Sequence, residues 1–272
     1  MLKRATGFAG GLLGLAVLIA PVGAATTIYD SNGYEPPTFH TGDLVGQDLT
    51  NGPWVQSGNG TAVVQTAVKE GTQAVQVTRQ ANNDAYFAVV KPVPFVNGTI
   101  QVNWDMNVPA ATGSQQFGPF FGVSAYDSLD TGTGAPLLIG SAGMDATTGQ
   151  FLFQDAGTGS IDVGSVLSFG VFHKYQMALN FNTQQYSVTV DGVVQTTQGF
   201  VDGSTSSPIS SFTDADLSAL AASGDASSLA ATGSAYYDNY VITQTPEPAM
   251  LGLVLPAALG LLLKRRGARR VA

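Results

Sequence analysis

The sequence predicts an all-β chain folded as an antiparallel sandwich, and three observations carry that prediction. Short apolar stretches alternate with a period of two, which is the pattern of strands with one buried face. Gly, Asn and Asp punctuate these stretches at regular intervals, as hairpin connections require. No amphipathic helical run is long enough to serve as the crossover of a βαβ unit, so a parallel sheet is excluded.

Taken in order, residues 31–60 are rich in Gly, Pro, Asn and Asp and read as loop, with Trp54 as a packing anchor. Strand signals then follow at 63–68, 73–79 and 86–90, separated by Lys-Glu-Gly and Asn-Asn-Asp turns. In 99–108, Ile100, Val102, Trp104 and Met106 share one side while Gln101, Asn103, Asp105 and Asn107 share the other. Residues 117–126, 136–144 and 150–154 follow between Gly-rich breaks. Tyr175, Met177, Leu179 and Phe181 alternate with polar residues, and Tyr186, Val188 and Val190 do the same. Asp191-Gly192 accepts the positive φ angles of a type I′ turn, so 193–197 returns beside that strand. At 213–222 the pattern changes: Thr213 reads as the cap of one short helix with Asp214 and Asp216 in its first turn. A last strand at 235–243 makes roughly eleven.

The segment from His173 to Gly192, with the late run Tyr236, Tyr237, Asp238, Asn239 and Tyr240, resembles the second half of a concanavalin A-like jelly roll of the laminin G type. That resemblance implies an antiparallel β-sandwich over residues 26–244. It also implies a carbohydrate-related scaffold, in which the closing strand contributes an oxygen to a structural calcium. Asp238 is the residue so placed.

Both ends read as addresses. Residues 1–25 carry Lys3 and Arg4 ahead of an apolar stretch, and small residues then allow signal-peptide cleavage after Ala24 or Ala25. Residues 245–272 combine the triplet Pro246, Glu247 and Pro248, an uncharged run at 249–263, and a cluster opening with Lys264, Arg265 and Arg266. As a helix the run spans roughly 22 Å, short of the ~30 Å hydrocarbon core, with basic residues free to snorkel at its end. This order resembles the PEP-CTERM sorting signal of exported bacterial proteins. The resemblance implies an exosortase-type enzyme as partner, a transient stay in the inner membrane, and delivery to the cell surface or beyond. An ordinary C-terminal anchor is the alternative.

Charge and residue inventory narrow the chemistry. Between the two terminal segments only Lys69, Arg79, Lys91 and Lys174 are basic, against nineteen acidic residues up to Glu247, a balance near −15. Nucleic acid is excluded as a partner, because phosphate neutralisation needs Lys and Arg. With no cysteine, thiolate nucleophiles and Cys-ligated zinc are excluded too, and a body of this size forms its core without disulfides. His40 and His173 are the only histidines and form no motif. Asp127 with Asp130, and Asp155 with Asp162, lie at loops without the spacing of a defined calcium site, so solvated turns are the simpler reading. Jelly-roll glycosidases carry paired glutamates on one strand. At the matching place this chain has Asn103, Asp105 and Asn107, which leaves Asp105 alone.

The expectation is therefore an exported, non-enzymatic protein of the cell surface or exopolysaccharide matrix, with no catalytic residues. A glycan-binding module, with Trp54, Trp104, Tyr126, Tyr236 or Tyr237 as stacking platforms, is the alternative; a carbohydrate-active enzyme comes third.

Overall fold

The computed structural model describes residues 24–113, 117–129, 135–204 and 206–246. Its strands run in chain order β1 (Thr26–Asp30), β2 (Gly42–Asp43), β3 (Trp54–Gly58), β4 (Gly60–Gln65), β5 (Ala74–Arg79) and β6 (Ala85–Val89). They continue with β7 (Thr99–Asn107), β8 (Phe120–Asp127), β9 (Leu137–Asp145), β10 (Gln150–Gln154) and β11 (Ile161–Val166). The remainder are β12 (Phe172–Asn180), β13 (Gln185–Val190), β14 (Val193–Gly199), β15 (Asp214–Leu220) and β16 (Gly233–Thr245), with one helix, α1 (Ala226–Ala230), before the last strand.

These strands form two antiparallel sheets. The first is ordered β14-β13-β12-β7-β16-β5-β4-β2, with β1 also pairing β16; the second is ordered β11-β10-β9-β8-β15-β6-β3. Alternation puts one face of each sheet into a shared core. Ile100, Val102, Trp104 and Met106 of β7 are buried, and beside them Tyr175, Met177 and Leu179 of β12, with Phe181 just beyond it. Trp104 stacks flat on Tyr175, ring centres 5.1 Å apart. From the second sheet, Phe121, Val123 and Ala125 of β8 and Ala215, Leu217 and Ala219 of β15 complete the core.

Two inward tyrosines of β16 fasten the sheets together. Tyr237 Oη donates to the Gly122 carbonyl of β8 at 3.1 Å, and Tyr240 Oη donates to the Ala215 carbonyl of β15. Aromatic bulk fills the inter-sheet space while each hydroxyl satisfies a strand carbonyl that faces it. Trp54 is the anchor anticipated, its Nε1 donating to Tyr29 Oη at 3.0 Å.

The Asp191-Gly192 turn joins β13 to β14, with φ of 51° and 81° and Val190 opposite Val193. Three expectations need correction. Residues 31–60 contain β2 and β3 as well as loop. The strands among the described residues number sixteen: beyond the eleven expected are β3, inside the expected loop, β15, and β1, β2 and β11, which are short or lack strong alternation. Residues 213–222 are no helix: β15 is a central strand between β6 and β8, and the one short helix is α1, capped by Asp225, whose Oδ1 accepts from Ser227 and Ser228 N–H. Thr213 caps nothing; its Oγ1 accepts from Ser128 N–H at 2.7 Å.

Ala24, Ala25 and Pro246 bound the described body. Glu247, Pro248, Lys264, Arg265, Arg266 and the apolar run 249–263 lie outside the described residues. No helix among the described residues is long and apolar enough to cross a membrane.

Candidate active site

The reassignment of β15 creates the site. In a strand, residues two apart point the same way, so Asp214, Asp216, Ser218 and Leu220 all leave the outer face of the second sheet while Ala215, Leu217 and Ala219 enter the core. Pairing with β8 sets Tyr126 opposite Asp214 and Ser124 opposite Asp216. From the other side β6 brings Tyr86, and β3 brings Ser57 opposite it. The result is a cleft of about 350 Å³ lined by Ser57, Tyr86, Tyr126, Ser128, Asp214 and Asp216.

The two tyrosine rings meet edge to face, 6.4 Å apart and 75° inclined, forming an aromatic wall beside the carboxyls. Below them three hydroxyls are knotted together: Ser218 Oγ donates to Ser124 Oγ at 3.1 Å, and Ser124 Oγ lies 2.9 Å from Ser141 Oγ. All three serines are buried although they point away from the core, so their mutual bonds replace water.

The carboxyls themselves have no such partners. Asp214 is 9 % exposed, and Asp216 Oδ1 is a buried oxygen without a hydrogen-bond partner. Among the described residues no Lys, Arg or His lines the cleft. Burial pushes the Asp214 carboxyl up to about 6. Burial, and then the neighbouring charge of Asp214, hold the Asp216 carboxyl well above the ordinary carboxylate range. Asp216 is the less covered of the two by surface, yet it sits on the cleft floor with protein packed around it, which is what penalises its charge. Two interacting carboxyls of this kind lose their protons in two separated steps that belong to the pair. Two carboxyls on one strand face, their pKa values raised by burial and by each other, are the groups from which an acid–base site is built.

The other outward face carries the residues that sequence singled out. Asp105 lies at the floor of an open polar depression of about 600 Å³, edged by Gln101, Asn103, Lys174 and Gln176. Its carboxylate is committed: Lys69 Nζ sits 2.8 Å from Oδ1, and Asn239 Nδ2 donates to Oδ2 at 2.8 Å. A charge held on both oxygens is a structural anchor, and the other acid at this depression is Glu70. Asp238 is fully buried; its Oδ2 accepts from Lys69 and Glu70 N–H, and its Oδ1 from Asn239 N–H. Among the described residues no three His, Asp or Glu side chains converge as a metal site. Asp127 is buried and accepts from Ser211 Oγ at 2.6 Å, whereas Asp155 and Asp162 lie on the β10–β11 hairpin near the Tyr186 hydroxyl; Asp130 is outside the described residues. His173 is pinned between Asp191 Oδ2 at 2.6 Å and the Ser168 carbonyl at 3.1 Å. Trp54, Trp104 and Tyr237 are core residues; only Tyr126 and Tyr236 of the five candidate platforms face outward.

Asp214, Asp216 and Tyr86 were not identified as a site from sequence. The signal was present in the alternation Asp-Ala-Asp-Leu-Ser-Ala-Leu, whose period is that of a strand.

No protein-family model matches the chain, and no curated protein matches it in sequence. Among solved structures, it is similar to a protein of unknown function with a galectin-like fold from Bacillus subtilis. There the TM-score is 0.50 at 13% identity, over 84% of this chain and 100% of the other. It also resembles a carbohydrate esterase from the Shiga toxin-encoding bacteriophage phi24B, TM-score 0.49 at 15% identity over 82% of this chain and 100% of that one. An endo-β-1,4-glucuronan lyase from Trichoderma reesei gives TM-score 0.47 at 11% identity, over 84% and 99%. At these identities what is shared is the fold, an antiparallel jelly-roll sandwich. The expectation of a non-enzymatic matrix protein is corrected here. It rested on the absence of paired carboxylates, which β15 supplies.

Proposed function

We propose that the chain is a carbohydrate-active enzyme whose acid–base pair is Asp216 and Asp214. The observation that carries this reading is the buried, unpartnered Oδ1 of Asp216 beside Asp214 on the floor of an aromatic-walled cleft. Asp105 is answered by the Lys69 ion pair and the Asn239 amide, and Asp238 by three N–H groups; Asp216 Oδ1 has neither a cation nor a donor. Asp216, whose Oδ1 lies buried and unpartnered on the cleft floor, is the general acid toward a glycosidic oxygen. Asp214, ionised above about 6, is the base that activates water or the carboxylate that stabilises the cationic transition state. Tyr86 and Tyr126 offer an apolar wall with polar tips, suited to a sugar ring. With two acids and no cation in the cleft, the substrate class is a neutral glycan; a uronate would be repelled.

Export belongs to the same proposal. It is supported by the n-region, the small residues before Thr26 and the tail's resemblance to a sorting signal read by an exosortase-type enzyme.

The test is release of reducing ends from a panel of neutral polysaccharides by the purified protein. Activity is expected on at least one, with an acidic limb near pH 6, and is lost in Asp214→Asn and in Asp216→Asn while both variants stay folded. Activity that survives both substitutions, or none on any neutral glycan, overturns the assignment.

A further inference from the structure

On the same outer face, at the other end of β15, lies a second and more enclosed space of about 160 Å³. Phe117, Phe120, Leu152, Ile161 and Leu220 form its walls. Pairing explains how these apolar residues come together on a solvent face. Leu220 stands opposite Phe120, and Leu152 opposite Gly143, whose own β8 neighbour is Gly122. A side chain at Gly122 would place its Cβ 2.6 Å from the Phe120 ring, so the missing side chain there is what lets that ring lie over the sheet.

Apart from the exposed Ser223 at its mouth, the side-chain polar atoms and strand-end N–H groups around this pocket are largely engaged. Ser141 Oγ is bonded within the serine knot, Gln154 Nε2 donates to the Gly159 carbonyl at 3.2 Å, and the Gln154 carbonyl accepts from Tyr186 Oη. Ala221 N–H goes to Asp84 Oδ1 at 3.0 Å and Ala222 N–H to Ser228 Oγ at 2.9 Å. No ionisable side chain lines the space. A sugar ring entering it would bury hydroxyls with nothing to bond, a heavy desolvation cost. An apolar ring would lose nothing. In size the pocket matches a cavity of ~150 Å³ walled by Leu, Ile and Phe, which takes up benzene.

We infer that this pocket is a binding site for a phenyl-sized apolar group. Leu220 is four residues from Asp216 on one face of one strand, about 13 Å along it. If the acid pair is the reacting centre, as proposed above, the pocket is a subsite for an aryl or similar ring carried by the glycan. That last step rests on the proposed function; the binding itself does not.

Benzene is the probe, titrated into the purified protein with the melting temperature and the heat of binding as readouts. A saturable rise in melting temperature is expected for the wild type, because a ligand that binds only the folded state stabilises it. Leu220→Trp fills the pocket and is expected to abolish the rise. Ile161→Trp does so from the rim, where the residue is 37% exposed and a larger side chain is accommodated without disturbing the core. Asp216→Asn is expected to keep the rise, which separates this site from the acid pair. No benzene-dependent rise in the wild type, or an undiminished rise in Ile161→Trp, overturns the inference.

Discussion

At the residue scale, what distinguishes the acids of this chain is whether the protein answers their charge. Asp238 was the residue expected to ligate calcium, through the resemblance to jelly rolls with a metal at the closing strand. The fold instead turns the 69–70 backbone toward it, so that three main-chain N–H groups occupy its oxygens. Burial raises its pKa, and these bonds pull the other way. A carboxylate so held is a cross-link between the β4–β5 loop and the bulge of β16. Asp238→Ala is expected to strand those donors and cost about 3 kcal/mol, at roughly 1 kcal/mol or more per buried N–H. EDTA is expected to leave the wild-type melting curve unmoved. A downward shift in EDTA would show that a metal shares the site.

At the element scale, the two hairpin strands β12 and β13 and the strand β15 show why some of the fold was legible in the sequence and some was not. In β12 and β13, strong β formers sit at every second position and a turn dipeptide follows, so propensity, period and turn chemistry agree. Gly192 there has φ of 81° with open space around it, so its replacement meets strain and no clash. Gly192→Ala is expected to cost about 1 kcal/mol in a thermal or urea melt, and to leave activity alone. In β15 the levels disagree. Ala and Leu favour helix, and a Thr ahead of two acids imitates a capped first turn. Yet the residues alternate polar and apolar, and tertiary pairing with β6 and β8 decides for the strand. That one disagreement concealed the candidate site, since in a helix Asp214 and Asp216 would not share a face. Asp105 was readable because its strand was; that Lys69 and Asn239 neutralise it depends on loop and bulge geometry that no local pattern encodes.

At the scale of the whole molecule, these acids set how stability depends on pH. Unfolded aspartates titrate near 3.9, whereas burial lifts Asp214 to about 6 in the fold and also raises Asp216 and Asp238. A raised folded-state pKa means the native chain binds more protons than the unfolded one between the two values. Stability from such a group is fully present below the unfolded pKa and is lost as pH rises through the folded one. For Asp214 alone the loss is about 3 kcal/mol, taken from a shift of about two units at a site almost closed to solvent. Glu35 acts in the opposite sense, its pKa lowered mainly by the Thr72 hydroxyl and then by Thr72 N–H. It is solvent-accessible, so it offsets little. The acidic balance of the body adds to the same trend, since fewer protons mean more self-repulsion. The protein is therefore expected to melt at higher temperature near pH 5 than near pH 8, the reverse of ordinary acid denaturation. The variant Asp214→Asn with Asp216→Asn is expected to be more stable than the wild type at pH 8 and to flatten the slope, while abolishing catalysis. A wild-type melting temperature that rises steadily from pH 5 to 8 would show that the pair is ionised and solvated in the fold, and would remove the basis for its acid–base role.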